Sequence, residues 1–368
     1  MIVKRFKANN FRNIESCDVS FSPGINLLHG KNAEGKTNAI EGIYIFSRGK
    51  SFRSCEEKDF IKRGEDGFNL FLEYEDRIGR GTLEYSLYGQ SRLRKKNGYK
   101  IKKITEMVGS FKTVLFSPDD LTIVKDGPEE RRAFINIAAS QCYPEYIDFY
   151  SGYKKALENR NCILKNAKAG LYFNKEELLS WSGTMAEYAA HIHYLRKEYV
   201  DKLSKYASVY QGEISGGKEN LTLYYKSHVE NEIKTVEDIK ERYDFLLKSN
   251  LEKELSAGVS LYGVHRDDLE IEINGVSARS FASQGQQRSA VLSLKLSEGE
   301  VNREICGEYP VYLLDDVLSE LDGKRKEFII HGIKEKQVII TSCENGEDMN
   351  FADTVIEVEG GKYVFAHR

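Results

Sequence analysis

Gly30-Lys31-Asn32-Ala33-Glu34-Gly35-Lys36-Thr37 is the stretch from which the rest of this 368-residue chain is read. The octet fits G-x-x-x-x-G-K-[ST], the phosphate-binding loop. Its neighbours fit too. Ile25-Asn26-Leu27-Leu28 is a short apolar run of the buried-strand kind, and Thr37 to Ser47 sets Ile40, Ile43 and Tyr44 at helical spacing. Strand, glycine loop and helix follow in the order the chemistry requires. The loop amides and the positive end of the helix converge on an anion. Lys36 reaches the β- and γ-phosphates and also serves catalysis, while the Thr37 hydroxyl ligates Mg²⁺. Gly30, Lys31, Asn32, Ala33, Glu34, Gly35, Lys36 and Thr37 are therefore all expected at a nucleoside triphosphate.

Such a loop needs a carboxylate partner. Pro310-Val311-Tyr312-Leu313-Leu314-Asp315-Asp316 is an apolar strand ending in two of them. Asp315 is expected to hold Mg²⁺ through water, and Asp316 to orient or deprotonate the attacking water. Phe281-Ala282-Ser283-Gln284-Gly285-Gln286-Gln287-Arg288 precedes a helical pattern from Ser289 to Ile305. Ser283 and Gly285 there either expose amides to a second anion or form a plain helix cap. Ser319-Glu320-Leu321-Asp322 follows the carboxylates and, taken alone, reads as a capped turn.

The composition, 40% hydrophobic and 30% charged, is that of an ordinary soluble protein, and the scattered cysteines, read as reduced thiols, make a cytoplasmic location the expectation. No apolar run approaches the roughly eighteen residues of a spanning helix, and the start, MIVKRFKANNF, lacks a signal peptide's apolar core. No membrane partner is expected. The cysteines (Cys17, Cys55, Cys142, Cys162, Cys306 and Cys343) are scattered, without metal-ligand or disulfide spacing. A net charge of −3 excludes a surface that coats polyanions everywhere, so any nucleic-acid contact must come from a local basic face.

Residues 1–30 read as strands, with a polar turn at Asn9 to Asn13. Arg12 there either approaches the nucleotide or lies on the surface. Short strands follow at Phe68–Tyr74 and Gly81–Tyr88. Arg92 to Lys103 then reads as a hairpin about Asn97-Gly98. Its Arg92, Arg94, Lys95, Lys96, Lys100, Lys102 and Lys103 are either solvated edge residues or a phosphate-contacting ribbon on DNA. Helical spacing takes over at Glu129–Ser140, Tyr146–Ala167 and Trp181–Tyr210, and Ser215-Gly216-Gly217 closes that block. A strand at Leu221–Tyr225, a charged helix from Val236 to Glu254 and a hairpin at Asp268–Gly275 complete the pattern. The reading is of an α/β protein: a nucleotide-binding part in two segments, residues 1–127 and 218–368, which the resemblance described next implies to be an ATPase head, with a helical lobe at 128–217 inserted. The helices are tens of residues long, so a long coiled coil is excluded.

The order of phosphate loop, helical insertion, S-Q-G-Q element, strand with two aspartates and S-E-L-D resembles the ATP-binding-cassette (ABC) heads of SMC-type DNA repair ATPases. The closest resemblance is to the RecF family of recombination mediators. Asn9–Asn13, Ser51-Phe52-Arg53, Phe116 to Leu121, Arg131-Arg132-Ala133-Phe134, Arg160-Asn161 and His265-Arg266-Asp267-Asp268 look like segments of that family in the expected order. The likeness covers nearly the whole chain. There are departures: Ala33-Glu34 stands where the family usually has Gly-Gln, and Val264 precedes His265 where proline is usual.

The resemblance implies a mixed sheet around the phosphate-loop helix and an ATP-dependent, head-to-tail homodimer. In it Ser283, Gly285 and Gln286 of one subunit cap the γ-phosphate held by the other, with Asp322 across the same interface. It also implies recognition of duplex DNA beside single-stranded gaps, weak DNA-stimulated ATPase activity, and assistance to RecO and RecR in loading RecA during repair, replication restart and the SOS response. Asp316 replaces the glutamate of transporter ATPases. One methylene fewer sets the carboxylate farther from the water, so slow, switch-like hydrolysis is expected. A non-hydrolysing ATP-gated DNA clamp and another SMC-like repair head are the alternatives. A transporter ATPase subunit is disfavoured because Gln337 to Ser342 ends without that class's histidine.

Overall fold

The computed structural model of the chain describes residues 1–53, 55–230, 232–343 and 351–365. They form two compact units. The first comprises Met1–Leu121, Tyr210–Lys218 and Arg288–Arg368, the second Thr122–Val209 and Glu219–Gln287.

Two six-stranded sheets build the first unit. One is antiparallel throughout: β1 (Ile2–Phe11), β2 (Ile14–Ser20), β4 (Gly67–Glu75), β5 (Arg80–Tyr88), β6 (Ser91–Lys96) and β7 (Tyr99–Lys100), in the order β2-β1-β4-β5-β6-β7. The other contains β3 (Ile25–His29), β8 (Thr113–Phe116), β12 (Val311–Asp315), β13 (Val338–Ser342), β14 (Thr354–Glu359) and β15 (Lys362–Phe365). Its order is β15-β14-β3-β13-β12-β8, parallel except for the β14–β15 hairpin. This second sheet, parallel strands with one antiparallel hairpin, is the mixed sheet that the resemblance implied.

Every residue of β12 and β13 is buried, as expected of parallel strands covered on both faces. One face, with Leu313 and Ile339, shares a core with Phe6, Phe68 and Leu70 of the antiparallel sheet and with Ile40 and Ile43 of α1 (Lys36–Arg48). The opposite face sets Tyr312, Leu314 and Ile340 against Leu292 and Leu296 of α9 (Gln284–Cys306) and Ile329 of α10 (Gly323–Gly332). The phosphate-loop helix α1 therefore lies between the sheets, with ten of its thirteen residues buried. A helix so enclosed holds its N-terminus fixed. β1 also runs further than its sequence suggests. Asn9 pairs with both Ser16 and Asn69, so the ladder continues through the polar residues and the turn shrinks to Arg12-Asn13.

The second unit holds α2 (Thr122–Lys125), α3 (Pro128–Cys142), α4 (Tyr146–Lys168), most of α5 (Lys175–Ser215), α6 (Val236–Ser249), α7 (Leu251–Ala257) and α8 (Ala278–Phe281). A three-stranded antiparallel sheet joins them: β9 (Leu221–Lys226), β10 (Asp268–Ile273) and β11 (Val276–Ser277). Pro128 opens α3 at the first helical position, where its missing N–H costs nothing. The helix expected over Val236–Glu254 is broken at Asn250, whose side-chain amide donates to the Leu246 carbonyl at 2.9 Å and ends α6. This unit extends beyond the 128–217 lobe read from sequence. Residues 219–287 join it because β9 pairs with β10 and because Arg131 of α3 grips Asp268 through two hydrogen bonds of 2.7 and 2.9 Å.

The 41 residues of α5 span about 62 Å at 1.5 Å per residue. Among the described residues no helix is long and apolar enough to cross a membrane, and the six cysteines are free thiols.

Candidate nucleotide site

Backbone geometry shapes the loop. Gly30 has a φ of 159°, and a Cβ there would meet the Val358 carbonyl oxygen of β14 at 2.2 Å, a backbone atom that cannot step aside. Gly35 caps α1 at a φ of 113°, a conformation that residues with a side chain rarely adopt, and a Cβ there would crowd Asn13 Oδ1 at 3.0 Å. Lys36 is buried, and its ammonium donates to the carbonyls of Gly30 at 2.5 Å and Lys31 at 2.7 Å. Lys31, Asn32 and Ala33 are exposed at the loop's crest, Ala33 in the left-handed region at φ 67°.

The parallel sheet brings the second half of the motif to the first. Thr37 Oγ1 donates to Asp315 Oδ1 at 2.7 Å across 278 positions of sequence, and Thr341 Oγ1 donates to the same oxygen at 3.0 Å. Burial pushes the Asp315 carboxyl above its ordinary range. The two hydroxyls and the charge of Arg53 pull the other way, and Asp316 adds a further push upward. Asp316 lies just past the strand, exposed and at φ 53°. Its N–H donates to Thr341 Oγ1 at 2.9 Å, and its carboxylate accepts from the Ser319 hydroxyl at 3.2 Å. The donor set suits Mg²⁺, which takes few protein oxygens and completes its shell with phosphate and water. Thr37 and Asp315 supply such oxygens, and among the described residues no cluster of three His, Cys, Asp or Glu side chains forms an all-protein metal cage.

A carboxylate that the sequence reading passed over organises one flank. Glu41 of α1 is fully buried and receives Arg12 at 2.6 and 3.1 Å, the Ser51 hydroxyl at 2.5 Å and Arg53 at 3.4 Å. Arg12 is thus neither a loose surface arginine nor free to swing. It also donates to the Asp59 carbonyl at 2.8 Å and lies 5.2 Å from the centre of the Phe60 ring. Arg53 donates to Asn38 Oδ1 at 3.0 Å. A glutamate flanked by Ile40 and Ile43 on a helix was the available signal.

The S-Q-G-Q element starts α9, five residues earlier than its apolar pattern suggests. Ser283 Oγ accepts from the Gln286 N–H at 3.3 Å and Gln286 Oε1 accepts from the Ser283 N–H at 2.9 Å, a reciprocal capping box. The Gln286 amide also donates to Glu219 at 2.9 Å, so its side chain is already engaged, while Ser283 is exposed. Gly285 lies in the first helical turn. These residues belong to the second unit, the phosphate loop and aspartates to the first. Asp322 caps α10, accepting the Arg325 N–H at 3.0 Å and pairing with its guanidinium.

Comparison with known proteins bears on this arrangement. A family described as "RecF/RecN/SMC N terminal domain" matches residues 2–363. The "DNA replication and repair protein RecF" of Clostridioides difficile (strain 630) is 35% identical over 99% of this chain and 98% of its own length. That of Acetivibrio thermocellus is 36% identical over 98% and 99%. The chain belongs to the RecF family.

Solved structures of the recombination mediator protein RecF, one of them with ATP, are 34% identical to this RecF-family chain. They superpose with a TM-score of 0.92, the ATP form over 100% of this chain and 98% of the other. The SMC head of Pyrococcus furiosus, 16% identical with a TM-score of 0.58 over 99% of this chain and 96% of the other, shares the fold. The ABC-type ATPase head read from the sequence is therefore the fold of this RecF-family protein.

Its basic hairpin is only partly available. Asn97-Gly98 forms the expected turn at φ 51° and 80°, but pairing ends at Lys95–Lys100. The Ile101 N–H still donates to the Arg94 carbonyl at 2.9 Å, and residues 102–103 leave the ladder because Glu106 accepts the N–H groups of Lys102 and Lys103 at 3.0 and 2.7 Å. Arg92 and Arg94 pair with Glu57 at 2.6 and 3.2 Å, and Lys95 with Glu84 at 2.9 Å. Among the described residues no ion pair is formed by Lys96, Lys100, Lys102 or Lys103.

Proposed function

We propose that this chain is an ATP-binding protein of DNA replication and repair whose nucleotide state governs pairing with a second copy on DNA. The observation that carries this reading is the Thr37–Asp315 hydrogen bond, which joins the phosphate loop to the carboxylate-bearing strand beside Lys36. Likeness to RecF structures solved with ATP supports the choice of nucleotide. Lys36 contributes its ammonium to the β- and γ-phosphates and Thr37 and Asp315 hold the metal. Mg²⁺ when bound neutralises developing phosphate charge. Asp316, exposed at the end of β12, orients the attacking water. Ser283, Gly285 and Gln286 present their capped helix start to the nucleotide of a second subunit, with Asp322 at the same interface. On this reading the dimer forms near single-strand gaps, recruits RecO and RecR for RecA loading, and acts in the cytoplasm, with slow hydrolysis as the switch.

The test is the solution mass with Mg²⁺ alone, with ADP and with ATP. A shift from monomer to dimer with ATP only is expected, and Ser283→Arg, which places a bulky cation on the exposed cap, abolishes it. No shift in the wild type on adding ATP overturns head-to-tail pairing.

The DNA face of the hairpin reduces to Lys96, Lys100, Lys102 and Lys103, since Arg92, Arg94 and Lys95 are tied to carboxylates. Lys96→Glu with Lys100→Glu is expected to lower DNA affinity at every sequence and to reduce the slope of log K against log salt by about 2. An unchanged slope removes the hairpin from the interface.

A further inference from the structure

Five of the six carbonyls from Gly30 to Gly35 accept a hydrogen bond from a side chain or from a distant turn. Lys36 serves those of Gly30 and Lys31. Asn13 Nδ2, from the β1–β2 turn, donates to the Ala33 carbonyl at 2.7 Å. In the β14–β15 turn the Gly361 N–H donates to the Glu34 carbonyl at 3.0 Å, and the Gly360 N–H donates to the Glu34 carboxylate. The Tyr363 hydroxyl donates to the Gly35 carbonyl at 2.9 Å. The two turns also touch each other: a Cβ on Gly361, at φ 75°, would lie 2.8 Å from the Asn13 carbonyl oxygen. Among the described residues the backbone N–H groups of Gly35 and Lys36 have no protein acceptor.

A peptide unit is planar and trans, so its C=O and N–H point in opposite directions. Fixing the Ala33, Glu34 and Gly35 carbonyls outward therefore fixes the N–H groups of Glu34, Gly35 and Lys36 inward. Successive inward amides form an anion-binding nest. We propose that the β14–β15 turn and Asn13 are positioning elements for the phosphate tail, with Tyr363 setting the Lys36 amide and Asn13 setting the Glu34 amide. The inference rests on the nucleotide reading above and deepens it: more than 300 residues after the loop, the chain returns to set the loop's affinity. Because the amides concerned face the phosphates that ADP and ATP share, both nucleotides feel the effect equally.

The experiment is calorimetric titration of the full chain with ATP and with ADP in Mg²⁺, alongside thermal unfolding of the nucleotide-free protein. Tyr363→Phe removes one hydroxyl from a partly buried ring. Its expected result is about a fivefold rise in Kd for both nucleotides, the loss of one ordinary hydrogen bond. The apo Tm stays at the wild-type value and the nucleotide-induced rise in Tm shrinks. Asn13→Ala shifts both Kd values in the same direction. Wild-type affinities in Tyr363→Phe overturn the inference alone. A drop in apo Tm that accounts for the affinity loss overturns positioning in favour of plain structural support. Absence of binding by the wild type overturns the nucleotide reading and this inference together.

Discussion

Lys36→Ala is expected to weaken ATP binding by at least about a hundredfold while leaving the fold intact. The ammonium is buried at the base of the loop and makes two charge-assisted hydrogen bonds to loop carbonyls. Hydrogen bonds to charged groups contribute about 1.5–3 kcal/mol each. On the proposed reading the same cation faces the polyphosphate in the bound state, so the variant would lose both the loop's internal tie and a charge attraction for the ligand. A loss of about 3 kcal/mol is about a hundredfold in Kd. The fold survives because the rest of α1 is held between two sheets by Ile40, Ile43 and Phe46. Titration of fluorescent ATP into wild type and variant, with circular dichroism of both, is the check. A variant Kd within threefold of wild type would remove Lys36 from the phosphate site.

The place of Lys36 at the base of the loop was legible in the sequence because the spacing of the motif sets it there. Such a loop needs glycines where a Cβ would collide, as at Gly30, or where φ is positive, as at Gly35. Asp315 was legible for a related reason. A strand buried on both faces reads as a continuous apolar run, so a carboxylate at its end stands out. Much of the fold followed by the same logic, from the turns at Asn97-Gly98 and Asn274-Gly275 to the helices after Pro128.

What the sequence concealed were partnerships between distant polar residues. Nothing in the spacing of Arg12 and Glu41 announces a buried pair 29 positions apart, and Glu57 is not marked as the partner that ties down Arg92 and Arg94. The same limit hid Arg131–Asp268, and with it the allegiance of residues 219–287 to the second unit. Periodicity reports which face of an element is apolar. It does not report which polar group on that element meets which on another.

The second unit contains the starkest of these concealed pairs, and Glu254→Ala tests it. Arg160 of α4 and Glu254 of α7 are both fully buried. The guanidinium donates to Glu254 at 2.5 Å, to Ser260 Oγ at 2.7 Å and to Ser182 Oγ of α5 at 2.8 Å. The other Glu254 oxygen accepts the Leu261 N–H at 2.7 Å. Truncating Glu254 strands a buried cation and leaves the Leu261 amide without its partner. Breaking one side of a buried pair costs about 3–5 kcal/mol. Glu254→Gln keeps both acceptor positions in reach of one oxygen at a time and should cost about half as much. Urea unfolding of wild type and both variants measures the series, and a cost below about 1 kcal/mol for Glu254→Ala would mean that the pair contributes little. The location gives the result functional weight. Ser260 sits at the head of the segment that passes through His265, whose Nε2 lies 3.1 Å from the Ser260 carbonyl, and runs through β10 and β11 to the Ser283 cap. The phosphate loop belongs to the other unit, so the folded fraction of Glu254→Ala should bind ATP with wild-type affinity, and the ATP-driven shift to dimer should fall in proportion to the fraction unfolded.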